Sequence, residues 1–406
     1  MTGSTSTGGF HPGASDLDLV MVVDAPLDGD GLGELQAVLL DLGRPPTAGG
    51  LDLELFTRAG LRRPDRDLGW HAWIRWYRSS EPRLQSGSEL RSSDWAPGLA
   101  LARRCAIPLM GPGPREVFGP IPRALVRAAS LRELPGWEHP EPHWSIPGGV
   151  LTACRAWWCW AEAGLGSKID AGRWALPRAE DPEPIRWALQ HYLTGESAGL
   201  TAQAAVQFIA RTRSLTSGRS PVLDRVVQHD VVLHDGDIVL RPLTENDWAV
   251  LERWNQDPEV LWYAESDDAG SNAPERVRQV ARHVSQDAYY FVIEHEGRPI
   301  GEAWLQLMNL ARVLDRHRGL DCRRIDLVIG EKELWGTGIG TRVIRAITDF
   351  GFETERADAI FGCDIGDRNP RSLGAFGRAG YEVNLVRRSD SPKDVRESYD
   401  VVRFRR

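Results

Sequence analysis

Two groups of residues in this sequence have the types and spacing to do chemistry. The first lies in Arg324-Ile-Asp-Leu-Val-Ile-Gly-Glu-Lys-Glu-Leu-Trp-Gly-Thr-Gly-Ile-Gly-Thr341, where an apolar strand runs into a turn carrying Gly336, Gly338 and Gly340. Glycines let a backbone come close to a ligand, and the helix expected after the turn offers unpaired N–H groups and its positive dipole end to a pyrophosphate. The G-x-G-x-G spacing lacks the last interval of a dinucleotide fingerprint, no suitable acid follows it, and no Lys-Ser/Thr pair makes it a Walker loop. Asp326, on the strand before the turn, is a carboxylate that could take a proton or pair with Arg323 or Arg324.

The second group is Gly3-Ser4, then Asp16-Leu-Asp18 leading into Leu19-Val-Met-Val-Val23, with Asp52 inside Leu51-Asp-Leu-Glu-Leu-Phe-Thr57. Residues two apart on a strand point the same way, so Asp16 and Asp18 could share divalent ions. Three carboxylates on neighbouring strands beside a Gly-Ser turn form the layout for two-metal nucleotidyl transfer.

The elements that must hold these groups divide in two. A chain of 406 residues is long for one core, so two domains are expected. The Gly-, Pro-, Ser- and Asp-rich stretch 213–237 reads as a linker. Beyond it the order is βααβββαβαββ, an α/β (α+β) mixed sheet wrapped by helices. Thr244-x-x-Asp247 makes a capping-box start, Asn369-Pro370 a helix entry and Gly380 a helix stop. Residues from Val150 to about Thr212 read as mostly helical. Five cysteines without C-x-x-C spacing argue against a disulfide framework or zinc site, and fit a reducing cytosol. The chain has no signal-peptide start and no apolar run long enough to span a membrane, so a cytoplasmic location is expected. A net charge of −8 disfavours nucleic acid and mildly favours cationic ligands. Trp262, Tyr263 and Trp304 could wall a sugar pocket, with Glu265, Asp267 and Asp268 as an acidic loop beside it.

The element order, the Trp335-Gly-Thr-Gly-Ile-Gly-Thr341 turn and the Asn369-Pro-Arg-Ser…Ala379-Gly-Tyr381 segment resemble the GNAT acetyltransferases, and within them the aminoglycoside 6'-N-acetyltransferases. The resemblance spans nearly all of 238–406 and implies acetyl-CoA as cofactor and a small aminoglycoside as substrate. It implies coenzyme contacts at Leu327, Val328 and Ile329, then at Trp335, Gly336, Thr337, Gly338, Ile339, Gly340 and Thr341, and at Asn369. It gives Asp326 the role of base and Asp364 that of holding the cationic drug. Two positions depart from the family: Glu333 stands where an Arg or Gln usually opens the coenzyme loop, and Phe376 where a Tyr often serves as general acid. Cys322 and Cys363, with no paired His, are expected to be packing residues. A siderophore hydroxylamine or a protein amine is the alternative acceptor.

In the first half, Gly8-Gly-Phe-His-Pro12, Gly111-Pro-Gly-Pro…Val117-Phe-Gly-Pro, Val150-Leu-Thr-Ala-Cys-Arg-Ala-Trp157, Ser167-Lys168 and Arg173-Trp-Ala-Leu176 resemble the streptomycin/spectinomycin 3''-adenylyltransferases. The resemblance implies a polymerase-beta-like nucleotidyltransferase domain over 1–110 and a helical subdomain over 111–212. It implies ATP and Mg2+, with Ser4 and Lys168 on phosphate, Asp16, Asp18 and Asp52 on metal, and Asp52 also as base. Trp137 and Glu141 would hold the drug. Met1 stands two residues before the Gly3-Ser4 turn, so the helix and strand that precede it in the family have no counterpart in the given chain. The stretch Trp144–Gly149 also replaces an expected acid. Weak or absent AMP transfer is the expectation, and a non-catalytic docking role for this half is its rival.

Overall fold

The computed structural model describes residues 1–10, 15–43, 49–64, 71–77, 82–86, 95–139, 145–195, 199, 201–264, 272–388 and 397–406. They divide into two compact units, Met1–Val222 and Leu223–Arg406.

The N-terminal unit contains a four-stranded sheet. Strand β1 (Leu17–Val23) lies parallel to β2 (Gly50–Thr57), which continues antiparallel to β3 (His71–Tyr77) and β4 (Arg83–Ser86). Alternation along β2 sends Leu53 and Leu55 into a core with Leu32, Ala72 and Ile74. The in-between residues Asp52 and Glu54 share the other face, as the period of two requires. Among the helices that follow are Arg123–Trp137, Ile146–Glu162, Lys168–Ala175, Glu183–Thr194 and Ala202–Leu215. Ser145, Ser167 and Thr201 cap three of them through side-chain oxygens. Their apolar stripes meet around Leu134, Leu151, Ile185 and Ile209.

The C-terminal unit is built on an eight-stranded mixed sheet in the order β11-β12-β10-β9-β8-β7-β6-β5. Its strands are β5 (Leu233–Asp235), β6 (Ile238–Pro242), β7 (Ala288–His295), β8 (Arg298–Leu307), β9 (Cys322–Ile329), β10 (Ala359–Gly366), β11 (Glu382–Arg388) and β12 (Glu397–Phe404). Among the described residues of this unit, only β9 and β10 pair in parallel, and every other neighbour is antiparallel. One face carries Ala303, Leu305 and Ile325 against the buried stripe Val343, Ile344 and Ile347 of helix Ile339–Asp349. The other face packs Tyr290, Val292 and Trp304 near Leu251 and Trp254.

The expected elements 238–406 form in the expected order. Strand β5 lies inside the stretch read as linker, where Leu233 pairs with Leu240. Helices Pro258–Ala264 and Ala311–Arg316 are additional. The Thr244–Asp247 capping box forms, and Asp247 also binds Arg241 at 2.7 Å.

Candidate active site

The parallel pair β9–β10 holds register only from Ala359↔Cys322 to Phe361↔Arg324. Beyond that point both strands continue, but their edges part. A β-bulge between Gly362 and Ile365 bends β10 away, and Asp364 within it adopts a left-handed backbone (φ 58°). Two adjoining cavities open at this split.

The larger, of about 480 Å3, is lined by Leu327, Val328 and Ile329 from β9, by the glycine turn from Trp335 onward, and by Asn369, Arg371, Ser372 and Arg378. Gly336 (φ 80°) and Gly338 (φ 94°) take the left-handed conformation, with open space where a side chain would stand. Gly338 is the N-cap of helix Ile339–Asp349, so that helix's first N–H groups lie at the cavity. Trp335 anchors the turn by donating from Nε1 to the Ile329 carbonyl at 2.7 Å. The Arg371 guanidinium lies 4.2 Å from the ring centres of both Trp335 and Tyr263. Asn369 Oδ1 accepts from Ser372 N as a helix cap, and its Nδ2 donates to the Tyr263 carbonyl at 3.0 Å. An anion and a long apolar tail would both find partners here.

The smaller cavity, of about 310 Å3, is lined in part by Glu302, Trp304, Arg324, Asp326, Asp364 and Phe376. Asp326 lies opposite Trp304 in the β8–β9 register. Its Oδ1 accepts from Arg324 Nη2 at 2.6 Å and its Oδ2 from Gln306 Nε2 at 3.4 Å. Burial pushes the Asp326 carboxyl above the ordinary aspartate range, Arg324 pulls it down, and Asp364 adds a smaller upward push. The buried Trp304 indole N–H lies near enough to favour the Asp326 charge, yet falls short of hydrogen-bond geometry and has no other partner.

Asp364 lines the same cavity, but its Oδ1 accepts from both Arg312 and Arg387. Tyr263 borders both cavities, while Trp262 lines neither, is 47% exposed, and lies under Arg368. Thr337 bonds the Leu334 carbonyl and is not among the lining residues. Glu333 sits on the turn Lys332–Leu334, 3.6 Å from Arg298 and away from the cavity lining. Phe376 is buried edge-on to Tyr381 and offers no proton. Cys322 and Cys363 sit in one apolar cluster, and burial pushes the Cys363 thiol up, away from nucleophilic use. Glu265, Asp267, Asp268 and Glu141 lie outside the described residues.

The sequence reading passed over Glu302, Tyr290 and Arg371. Glu302 is buried at the cavity wall, where it accepts from Tyr290 Oη and, at 3.3 Å, from Asn255 Nδ2. Its signal was a lone acid alternating with Trp304 and Gln306 along an otherwise apolar strand.

In the N-terminal unit, Asp18 and Asp52 are direct register partners across β1 and β2. Gly3 (φ 55°) packs so tightly that a Cβ there would come 1.9 Å from Asp18 Oδ2. The Ser4 N–H supports the Asp18 carboxylate, which burial, Asp52 and Asp16 together push up to about 6. Asp16 is raised too, by burial first and Asp52 second. Lys168 favours the charge of both and lies 5.9 Å from the Trp137 ring centre. Asp52 is raised by burial, while Arg75 Nε, 3.2 Å from its Oδ1, opposes the rise. Among the described residues no group of three or more His, Cys, Asp or Glu is arranged to hold a metal ion.

Residues 237–382 match the family described as acetyltransferase (GNAT) domain. The C-terminal unit carries a GNAT domain. Residues 116–214 match the C-terminal domain of aminoglycoside adenylyltransferases, so the chain joins two such modules. The GNAT part is similar to aminoglycoside N(6')-acetyltransferase type 1 of Klebsiella pneumoniae, 23% identical over 162 residues, or 39% of this chain and 80% of the relative. The first half is similar to an aminoglycoside (3'') (9) adenylyltransferase of Escherichia coli, 28% identical over 220 residues, or 50% of this chain and 80% of the relative. Solved structures similar to the GNAT domain include a Bacillus anthracis GNAT acetyltransferase, with TM-score 0.36, 14% identity, and 43% and 98% of the two chains covered. AAC(6')-Ib in complex with ribostamycin and coenzyme A gives TM-score 0.36, 20% identity, and 42% and 94% coverage. Among the described residues, no helix is long and apolar enough to cross a membrane.

Proposed function

We propose that the C-terminal unit transfers the acetyl group of acetyl-CoA to the 6'-amino group of an aminoglycoside, and that the chain thereby confers antibiotic resistance. The observation that carries this reading is Asp326 standing on the strand shared by the two cavities, one suited to a pyrophosphate and the other lined by Glu302, Asp326 and Asp364 together with Arg276 and Arg324. The glycine turn, the N-terminus of helix Ile339–Asp349 and Arg371 would hold the coenzyme's phosphates, and Leu327–Ile329 would bond its extended arm. Acetyl-CoA supplies the activated acyl group as a thioester. Asp326 takes the proton that the acceptor ammonium must lose before its nitrogen can attack. Burial raises its basicity, and Arg324 fixes its direction. Phe376 leaves the final protonation of the thiolate to water or solvent.

For the N-terminal unit we propose nucleotidyltransferase ancestry, with AMP transfer subordinate to acetylation. Mutual repulsion among Asp16, Asp18 and Asp52 suits a divalent cation in charge. The hold of Arg75 on Asp52 and the lack of a three-ligand grouping among the described residues do not suit it in geometry. The acetyltransferase reading is tested by initial rates with acetyl-CoA and four acceptors: a 6'-amino aminoglycoside, spermidine, a siderophore hydroxylamine and a peptide N-terminus. The aminoglycoside is expected to lead by roughly tenfold or more in kcat/KM, and a lead by another acceptor would replace this reading.

A further inference from the structure

The carboxylate cluster of the N-terminal unit carries positive charge of its own. Register sets Asp18 beside Asp52 across β1 and β2, and Asp52 opposite Arg75 across β2 and β3. Residues paired in register point to the same face, so Arg75 shares the face of the two aspartates. Its Nε lies 3.2 Å from Asp52 Oδ1, and its Nη2 lies 3.5 Å from Glu54 Oε1. The other oxygen of Glu54 pairs with Nε2 of His71. That ring is buried and stacked on Phe56, with ring centres 4.5 Å apart.

The fold holds Arg75 in this position. Its guanidinium carbon lies 4.5 Å from the ring centre of Trp73 and 6.0 Å from that of Trp95, so aromatic faces flank the cation. Trp73 stands opposite Glu54 in the same β2–β3 register. A guanidinium is charged at every working pH, and its fork of N–H groups matches carboxylates. Lys168 favours the charge of Asp16 and Asp18 from the other side. A divalent ion would need oxygens of Asp18 and Asp52 packed round it at about 2.1 Å. It would have to expel Arg75 from Asp52, Glu54 and Trp73 together, or stand a few ångströms from a guanidinium. The residues present therefore do not fit the metal that the ancestry of this unit implies.

We propose that Arg75 is the resident counter-cation of this carboxylate cluster and keeps Mg2+ out of it. The guanidinium takes over the charge balance that a nucleotidyltransferase assigns to a divalent ion. This deepens the reading of the N-terminal unit as a nucleotidyltransferase descendant and rests on it. Removing the charge of Arg75 uncovers a divalent-cation site made by Asp18 and Asp52.

The test titrates the full chain with Mn2+ and follows the loss of the free-ion electron paramagnetic resonance signal. Arg75→Gln is expected to bind Mn2+ about tenfold or more tightly than the wild type, because a neighbouring positive charge is gone. Arg75→Lys keeps the charge and should bind as weakly as the wild type. Adding Asp18→Asn to Arg75→Gln should abolish the gain, which locates it. Near-ultraviolet circular dichroism with Mn2+ present checks the fold. Should Arg75→Gln unfold, Arg75→Met, which keeps an aliphatic stem against Trp73, takes its place. An uncharged variant that binds no better than the wild type overturns the assignment, as does Arg75→Lys binding as tightly as Arg75→Gln. Tight binding by the wild type that Asp18→Asn abolishes overturns it without any Arg75 variant. AMP transfer is assayed separately with ATP, Mg2+ and streptomycin, so a failure of the ancestry reading shows there and a failure of the role of Arg75 shows in the titration.

Discussion

Arg324 Nη2 holds Asp326 Oδ1 at 2.6 Å, two residues away on the same strand, so the candidate base and its guanidinium share one face of β9. The two influences on Asp326 oppose each other. Burial disfavours its charge and Arg324 favours it, with burial the larger.

Replacing Asp326 by Asn keeps the shape and removes the proton acceptor. The expected outcome is a fall of about 100-fold or more in kcat/KM for the acceptor, with KM for acetyl-CoA little changed. Steady-state kinetics at neutral pH check it, and wild-type rates would remove Asp326 from the mechanism.

The same pair sets a pH dependence. A base works when ionised, so kcat/KM should rise with pH through a limb above the ordinary aspartate range. Arg324→Gln removes the cation that favours the charged form and should move this limb to higher pH. A limb that stays in place or moves down would show that another group titrates.

Gly338 has φ 94° and caps the helix whose N–H groups face the larger cavity. Gly338→Val strains that backbone and places a branched side chain where a phosphate would approach. KM for acetyl-CoA should rise about tenfold or more. An unchanged KM would make the turn purely structural.

Asp18 gives a prediction for the N-terminal unit. Its pKa is pushed up from 3.8 to about 6, so the folded chain holds a proton there that the unfolded chain has released. The stability linked to that proton is complete below pH 4 and is lost as pH rises towards 6. Asp18→Asn should therefore stabilise the protein above pH 6, by up to about 3 kcal/mol, with the gain vanishing near pH 4. Thermal melting of the full chain between pH 4 and 8 measures this, and a destabilised variant at pH 7 would contradict it.

The legible features were those written in local sequence. The apolar alternation over 17–23 and 51–57 marked the two strands on which Asp18 stands beside Asp52, with Asp16 just before the first, and the glycines at 336 and 338 marked a turn that takes the left-handed backbone. Contacts between distant segments were not legible. Nothing near Asp364 announces that Arg312 and Arg387 will occupy its carboxylate. The Trp262-Tyr263 pair read as one wall, but helix Pro258–Ala264 turns the two apart, so that only Tyr263 reaches Trp335 and the cavities. Glu302 gains meaning only when Tyr290 and Asn255 arrive from other elements.

The central claim is acetyl transfer to a 6'-amine, and mass spectrometry of the product tests it most directly. Purified full-length chain is incubated with acetyl-CoA and a kanamycin-type drug, and in parallel with a counterpart carrying a 6'-hydroxyl. The account predicts that the first drug gains the mass of one acetyl group, located by fragmentation on the 6'-nitrogen, while the second gains none. No acetylated product from the 6'-amino drug, or equal acetylation of both, would contradict it.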